Sequence, residues 1–185
     1  MTFVNPRSTA TQTVNDSKAP VVTSAFESPR ALTDGETVIA VAEIAASPER
    51  VHRALHTKEC ETWWGAPDVY ATRNFTADLS VGGRWSLDSV FPSGTINHST
   101  GVFLAIDTPH RVVLTRRYEF DVPGVGWRDT RVTYVLDPTP GGSRLTVRHD
   151  GFDGARGAAA DEHVPGWERF LMWLQTHFAH GSTGT

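Results

Sequence analysis

The sequence predicts an α+β domain in which a curved antiparallel β-sheet wraps around one long C-terminal helix. Three observations support this prediction. Turns containing glycine or proline interrupt residues 69–150 at short intervals, with no helical segment between them. Two short helical segments follow the first strand, and an apolar stripe with helical spacing closes the chain. This order of elements is typical of a meandering sheet packed against a helix.

The first strand is predicted over 36–46, where ETVIAVAEIAA is rich in β-branched and small apolar residues. Ser47 can cap a helix and Pro48 suits the first helical position, so a short helix is predicted to begin here. A second short helix is predicted over 58–63, ending before Gly65.

Six further strands form the predicted meander, over 69–75, 84–91, 95–106, 111–120, 127–136 and 144–150. The closing helix is predicted from about residue 166 to residue 180. Its apolar stripe consists of Trp167, Phe170, Leu171, Leu174 and Phe178. We expect this stripe to face the sheet, whereas Met172 should point away from it.

The domain is expected to span residues 35–181, between an N-terminal arm over 1–34 and a short tail over 182–185. Threonine, serine and proline dominate the arm, and its longest apolar run is two valines. Such a segment buries too little apolar surface to offset its ordering entropy, which favours a flexible arm. The alternative is that the arm packs on the domain or on a partner.

Composition excludes several classes of function. The 185 residues carry a formal net charge of −4, so no basic face for nucleic acid or an anionic membrane is expected. A single cysteine, Cys60, leaves neither an internal disulfide nor a cysteine-rich metal site. No apolar run could cross a membrane, and the N-terminus lacks a secretory signal, so we expect a cytoplasmic protein. No dinucleotide fingerprint is present, and no cofactor is expected.

Several short motifs, in this order, resemble one protein family. They are Ser47-Pro48-Glu49-Arg50-Val51 with Ala54-Leu55, Trp63-Trp64-Gly65 with Pro67, Asp78 with Val81-Gly82-Gly83, Gly101, Ile106-Asp107, Pro109 with Arg111-Val112-Val113, Thr146, His149, Gly151-Phe152, and Gly166-Trp167 with Leu171 and Leu174. Together they cover about residues 36–180. The chain is similar to the START-like, Bet v 1-like superfamily called SRPBCC, and within it to the AHSA-type branch of Hsp-ATPase-activator homologues.

The resemblance implies a helix-grip fold with a deep cavity between the concave sheet and the terminal helix. Alternate residues of each strand should point into this cavity. The expected ligand-binding residues are Trp64, Trp85, Leu87, His98, Leu114, Arg116, Tyr118, His149, Trp167, Phe170, Leu171 and Leu174.

Arg116 is the most informative of these residues, because family members often carry an aromatic residue at this position. A guanidinium in an apolar cavity needs an anionic or carbonyl partner, such as a ligand carboxylate or phenolate. Either Arg116 or its neighbour Arg117 must point outward, and a strand bulge could exchange the two. His149 is either a ligand-binding residue or a structural histidine whose nitrogens are hydrogen-bonded.

Other candidate sites receive less support. His52 and His56 have the helical spacing of a metal-binding pair, but no third ligand lies near them in sequence, and no metal site is predicted. No nucleophile motif or phosphate-binding loop is present, and Cys60 is interpreted as a packed thiol. The glycine-containing loop over 121–127 is either a lid over the cavity or a plain loop.

The chain contains six tryptophans. Trp63 and Trp64 should not both point inward from one short helix, and Trp173 lies at the edge of the apolar stripe of the closing helix. We therefore expect at least one exposed or interfacial tryptophan, which is compatible with a homodimer. The alternative is that the arm partly covers it.

Three functions follow from the resemblance. The first is binding of a small hydrophobic or aromatic, possibly anionic, molecule without catalysis. The second is a polyketide cyclase or dehydratase, in which Arg116 would stabilise an enolate and His149 or His98 would move a proton, or a related resistance protein that sequesters a natural product. The third is a co-chaperone that activates a heat-shock ATPase. We expect it least, because the known activators carry an additional, larger N-terminal domain.

Overall fold

The computed structural model describes residues 27–120, 129–152 and 158–181. The loop over 121–127, the tail over 182–185 and residues 1–26 of the predicted arm lie outside these ranges. The elements are β1 (Arg30–Asp34), β2 (Thr37–Ile44), α1 (Pro48–His56), α2 (Cys60–Trp63), β3 (Gly65–Ala66), β4 (Tyr70–Ala77), β5 (Arg84–Val90), β6 (Ile96–Asp107), β7 (Arg111–Tyr118), β8 (Thr130–Thr139), β9 (Gly142–Asp150) and α3 (Ala158–Gly181).

All described strands belong to one antiparallel sheet with the order β1-β2-β9-β8-β7-β6-β5-β4-β3. The six consecutive strands β4 to β9 form the predicted meander, and β2 closes it by pairing with β9. Along β2 the residues alternate between buried and partly exposed, as expected for a strand with one face on the core. The helix-grip fold predicted from the sequence is confirmed, with α3 packed against this sheet.

Two strands are additions to the prediction. Strand β3 is only two residues long and pairs with β4. Strand β1 lies inside the segment predicted as an arm, and it pairs with β2 along its whole length. Helix α3 also holds β1, since Thr33 Oγ1 donates to Asp161 Oδ1 at 2.8 Å. The ordered sheet therefore begins at residue 30 rather than after residue 34.

Helix α3 begins at Ala158, about two turns before the predicted start at residue 166. Pro165 lies inside it, where the missing N–H removes one main-chain hydrogen bond. Ala159 and Ala160 are both buried, and His163 Nδ1 donates to the Ala159 carbonyl at 2.7 Å. Packing of these first turns on the core therefore outweighs the local cost of the proline.

Both tryptophans of the α2 region are buried, so neither is the exposed tryptophan that was expected, whereas Trp173 on α3 is only partly buried. Trp63 is 5% exposed and Trp64 is 8% exposed. Trp64 is the C-cap residue and has extended backbone dihedrals, which turns its side chain away from the helical direction. The two rings stack with centroids 6.0 Å apart. Trp63 and Trp64 therefore give no support to a homodimer.

The core lies between the sheet and one face of α3. The predicted stripe of α3 is buried as expected, and Met172 is exposed. Ser47 caps α1 through its side-chain oxygen, which accepts from the Arg50 N–H, as predicted from the sequence. No helix among the described residues is long and apolar enough to cross a membrane.

Candidate functional site

A small cavity lies between α1, the end of α2 and the inner face of strands β4 to β8. Its lining residues are Leu55, His56, Trp64, Phe75, Trp85, Leu87, Phe103, Leu114, Arg116 and Tyr134. The cavity volume is about 20 Å³. This is room for about one water molecule, whereas pockets for drug-sized ligands usually measure about 300–1,000 Å³. The structure therefore has a compact apolar cavity with three polar side chains, not the deep cavity that the resemblance implied.

Helix α3 is the reason for the small volume. Trp167, Phe170, Leu171 and Leu174 were expected to line the cavity, but they are at most 6% exposed and pack in the core beside it. The ring of Phe170 lies 4.7 Å from that of Trp64 and 5.2 Å from that of Trp167, measured between centroids. Aromatic rings thus fill the space between the sheet and the helix.

Arg116 faces the interior from β7. The pairing of β7 with β8 keeps one register from Arg111 to Arg116, so no bulge reverses the alternation along this strand. The guanidinium lies over three aromatic rings, at 5.5 Å from the centroid of Trp64, 5.8 Å from Trp85 and 4.9 Å from Tyr118. These are cation–π distances. Tyr118 touches the site through this contact and does not line the cavity itself.

The charge of Arg116 has no anionic partner among the residues that the structure describes. Its Nε is buried and makes no hydrogen bond. The neighbouring Arg117 differs in both respects, because it is exposed and its Nε donates to Asp129 Oδ1 at 2.8 Å. Of the two neighbouring arginines, Arg116 therefore points to the interior and Arg117 to the solvent.

Five residues of the cavity were not among the predicted ligand-binding residues, namely Leu55, His56, Phe75, Phe103 and Tyr134. His56 is the most polar of them. It is 5% exposed, at the last position of α1. Its Nδ1 lies 3.0 Å from the carbonyl oxygen of His52, and its Nε2 is buried without a hydrogen-bond partner. Burial lowers the pKa of His56 to about 3, with the neighbouring His52 as a second cause. The ring is therefore neutral at physiological pH.

A signal for His56 exists in the sequence. His52, Leu55 and His56 have the spacing i, i+3, i+4, which places all three on one side of α1 beside its apolar face. The two imidazole centroids are 4.7 Å apart. Within the described ranges, no group of three or more histidine, cysteine, aspartate or glutamate side chains could hold a metal ion.

Tyr134 is the third polar residue of the cavity wall. It lies on β8 between Val132 and Leu136, and all three are buried by strand alternation. Burial raises the pKa of the Tyr134 hydroxyl well above its ordinary value, although the charge of Arg116 opposes the shift. The hydroxyl therefore stays protonated, and it can donate or accept a hydrogen bond.

His149 does not line the cavity, which corrects its assignment as a ligand-binding residue. It is fully buried on β9, and both ring nitrogens are engaged. Trp167 Nε1 donates to Nδ1 at 3.2 Å, so the proton of the neutral ring lies on Nε2, which donates to Thr130 Oγ1 at 2.8 Å. Thr130 in turn donates to the carbonyl of Arg116 at 2.8 Å. His149 is thus the structural histidine of the two alternatives, and it supports the backbone of Arg116.

His98 is also outside the cavity. It pairs with Asp88 across strands β5 and β6, on the sheet face opposite Trp85 and Leu87. Its side chain is 41% exposed. Hydrogen bonds from Asn74 and from His98 lower the pKa of the Asp88 carboxyl group. Two residues that pair across neighbouring strands point to the same face of the sheet. His98 pairs with Asp88 and therefore lies on the outer face with it, which the assignment of His98 to the cavity overlooked.

Cys60 is buried and free, as interpreted from the sequence. Burial raises the pKa of its thiol to about 12, with the charge of Glu61 as a further cause. A thiol that stays protonated is a poor nucleophile. The chemistry of the site therefore depends on Arg116, His56 and Tyr134.

One protein family and many solved structures of the same fold match the chain. The family described as "Activator of Hsp90 ATPase homolog 1-like protein" matches residues 45–179 of the chain. No curated protein matches the sequence.

Three solved structures with this fold come from bacteria. A protein of Chromobacterium violaceum is similar with a TM-score of 0.66 and 24% identity, over 77% of this chain and 97% of its own. A protein of Rhodobacter sphaeroides has a TM-score of 0.69 and 21% identity, over 82% of this chain and 99% of its own. The AHSA1-like protein from Aeromonas hydrophila has a TM-score of 0.63 and 21% identity, over 79% of this chain and 94% of its own. At these identities the likeness concerns the fold.

Proposed function

Because the chain belongs to the family of Activator of Hsp90 ATPase homolog 1-like proteins, a family of ligand-binding domains, we propose that it binds a small apolar or aromatic molecule carrying an anionic group. The observation that carries this proposal is the guanidinium of Arg116, which faces the interior among aromatic rings without an anionic partner in the described part of the chain. An unpaired charge in apolar surroundings is costly, and a carboxylate or phenolate would remove that cost.

The walls around Arg116 favour an apolar body for this ligand. Seven of the lining residues have aliphatic or aromatic hydrocarbon side chains or indole rings, namely Leu55, Trp64, Phe75, Trp85, Leu87, Phe103 and Leu114. Their contact with a ring or an alkyl chain would remove apolar surface from water. Since the present volume is about 20 Å³, the ligand has to displace lining side chains as it enters.

Binding without catalysis is preferred over a cyclase-like enzyme. The enzyme hypothesis needs a proton-transfer group opposite Arg116. His56 lines the cavity, but burial lowers its pKa to about 3, which makes it a weak base, and the two histidines named for the hypothesis are unsuited. His98 lies on the other face of the sheet, and both nitrogens of His149 are already hydrogen-bonded.

A thermal-shift panel tests the proposal. The panel contains hydrophobic carboxylates such as octanoate and benzoate, phenols and polycyclic aromatic acids. A compound present at about a hundred times its Kd should add about 2.7 kcal/mol to the free energy of unfolding. We expect at least one anionic compound to stabilise the wild type.

Two variants make this test specific. Arg116→Ala should lose the stabilisation, whereas Arg117→Ala should keep it, because Arg117 is exposed and paired with Asp129. If no compound stabilises the wild type, or if both variants respond like the wild type, the proposal is wrong.

A further inference from the structure

The tautomer of His56 is determined by the residue that it contacts. Its Nδ1 lies 3.0 Å from the carbonyl oxygen of His52, and a carbonyl oxygen only accepts hydrogen bonds. Nδ1 must therefore carry the proton of the neutral ring. It follows that Nε2 presents a lone pair. This atom is buried without a hydrogen-bond partner, in a side chain that lines the cavity.

The same cavity contains the opposite kind of group. The guanidinium of Arg116 has only donors, and its Nε is buried without a partner. The hydroxyl of Tyr134 can both donate and accept a hydrogen bond. The ring centroid of Tyr134 is 5.5 Å from that of His56. A ligand that satisfies the cavity must hence offer an acceptor to Arg116 and a donor to His56.

We propose that the ligand is an aromatic acid with a free hydroxyl group, whose carboxylate pairs with Arg116 and whose hydroxyl donates to Nε2 of His56. This inference rests on the proposed function and adds the class of the ligand. Both protein groups line the same small cavity, which favours a ligand that carries the carboxylate and the hydroxyl on one compact body, such as a single aromatic ring. The aromatic walls formed by Trp64, Trp85 and Phe103 suit the faces and edges of such a ring.

The groups around His56 keep its lone pair available. His52 on the same helix is buried and neutral by the same cause, since burial lowers its pKa. Arg116 on β7 and the protonated Tyr134 hydroxyl on β8 line the same cavity, and neither carries a negative charge that would favour a protonated imidazole. We therefore expect the preference for a hydroxyl group to be constant between about pH 6 and pH 8.

Isothermal titration calorimetry with three probes tests this inference. The probes are 3-hydroxybenzoate, 3-methoxybenzoate and benzoate. In 3-hydroxybenzoate the hydroxyl is too far from the carboxylate to bond to it, and the methoxy group has no proton to donate. We expect the wild type to bind 3-hydroxybenzoate up to about tenfold more tightly than 3-methoxybenzoate, the effect of one buried hydrogen bond.

Variants of His56 assign the preference to its Nε2. In His56→Phe the affinities for 3-hydroxybenzoate and 3-methoxybenzoate should become equal, and His56→Gln should restore part of the preference through its amide oxygen. His56→Leu serves as a second apolar variant should the Phe variant fail to fold, and His98→Phe on the outer face should behave like the wild type.

Each outcome bears on one of the two claims. Equal affinities for the hydroxy and methoxy probes in the wild type, a preference that survives in the apolar His56 variants, or no binding of any probe would overturn the inference. The proposed function stands if the wider panel contains an anionic ligand whose binding depends on Arg116, and it fails separately if the panel contains none.

Discussion

Burial keeps two interior histidines neutral in the folded protein. The pKa of His56 is lowered to about 3 and that of His149 well below its usual range, in both cases chiefly by burial. In the unfolded chain both side chains should titrate near their ordinary value of 6.5. The unfolded state therefore binds more protons than the folded state below that pH.

This difference predicts an acid-sensitive fold. Above about pH 7 the two histidines are neutral in both states and add no pH dependence. As the pH falls below about 6.5, each should lower the free energy of unfolding, by up to about 1.4 kcal/mol per pH unit. Urea unfolding at several pH values between about 5 and 7.5 measures this slope. His56→Phe should reduce it, and an unchanged slope in that variant would contradict the burial of a neutral His56.

Strand β6 approaches β7 closely at Gly101. A Cβ atom at this position would lie 1.9 Å from the carbonyl oxygen of Thr115 and 2.4 Å from Nε1 of Trp85. These two atoms already bond to each other, since Trp85 Nε1 donates to Thr115 O at 3.0 Å. The absence of a side chain at Gly101 on β6 thus lets the indole of Trp85 on β5 reach the carbonyl oxygen of Thr115 on β7.

Gly101→Ala should therefore be destabilising, by about 1–3 kcal/mol or more, because backbone must move to admit the methyl group. Gly166→Ala is the matched control. Gly166 lies exposed in α3 with no atom near the added methyl group, so this change should be neutral or stabilising by up to about 1 kcal/mol. Denaturant unfolding compares the two variants. Equal effects would argue against the close packing of β6 on β7.

The local elements differ in how far sequence could predict them. The meander β4 to β9 follows from alternation and turn residues that lie next to each other in the chain. The short strands β1 and β3 have weak local signals and exist through pairing with β2 and β4. Likewise, the first turns of α3 are stabilised by buried alanines in spite of Pro165. Tertiary contacts decide these three cases.

At the scale of the whole molecule, strand alternation allows some site residues to be predicted, whereas the packing of α2 and α3 determines the others. Strand parity correctly placed Trp85, Leu87 and Leu114 on the interior side, because β5 and β7 keep a regular alternation there, but it left open which of Arg116 and Arg117 faces inward. The volume of the cavity depends on how the rings of α3 and α2 pack together, and no local pattern encodes it. His56 was considered only as half of a metal-binding pair, although its position beside the apolar face of α1 also predicts burial.

The central claim is that an anionic ligand enters the cavity at Arg116. Nuclear magnetic resonance with ¹⁵N-labelled protein, titrated with benzoate and octanoate, tests it most directly. We expect the side-chain N–H signals of Arg116, Trp64 and Trp85 to shift together, since all three residues line the cavity. The same titration of Arg116→Ala should leave the two indole signals in place. Shifts confined to the outer face around His98, or none with either compound, would contradict the account.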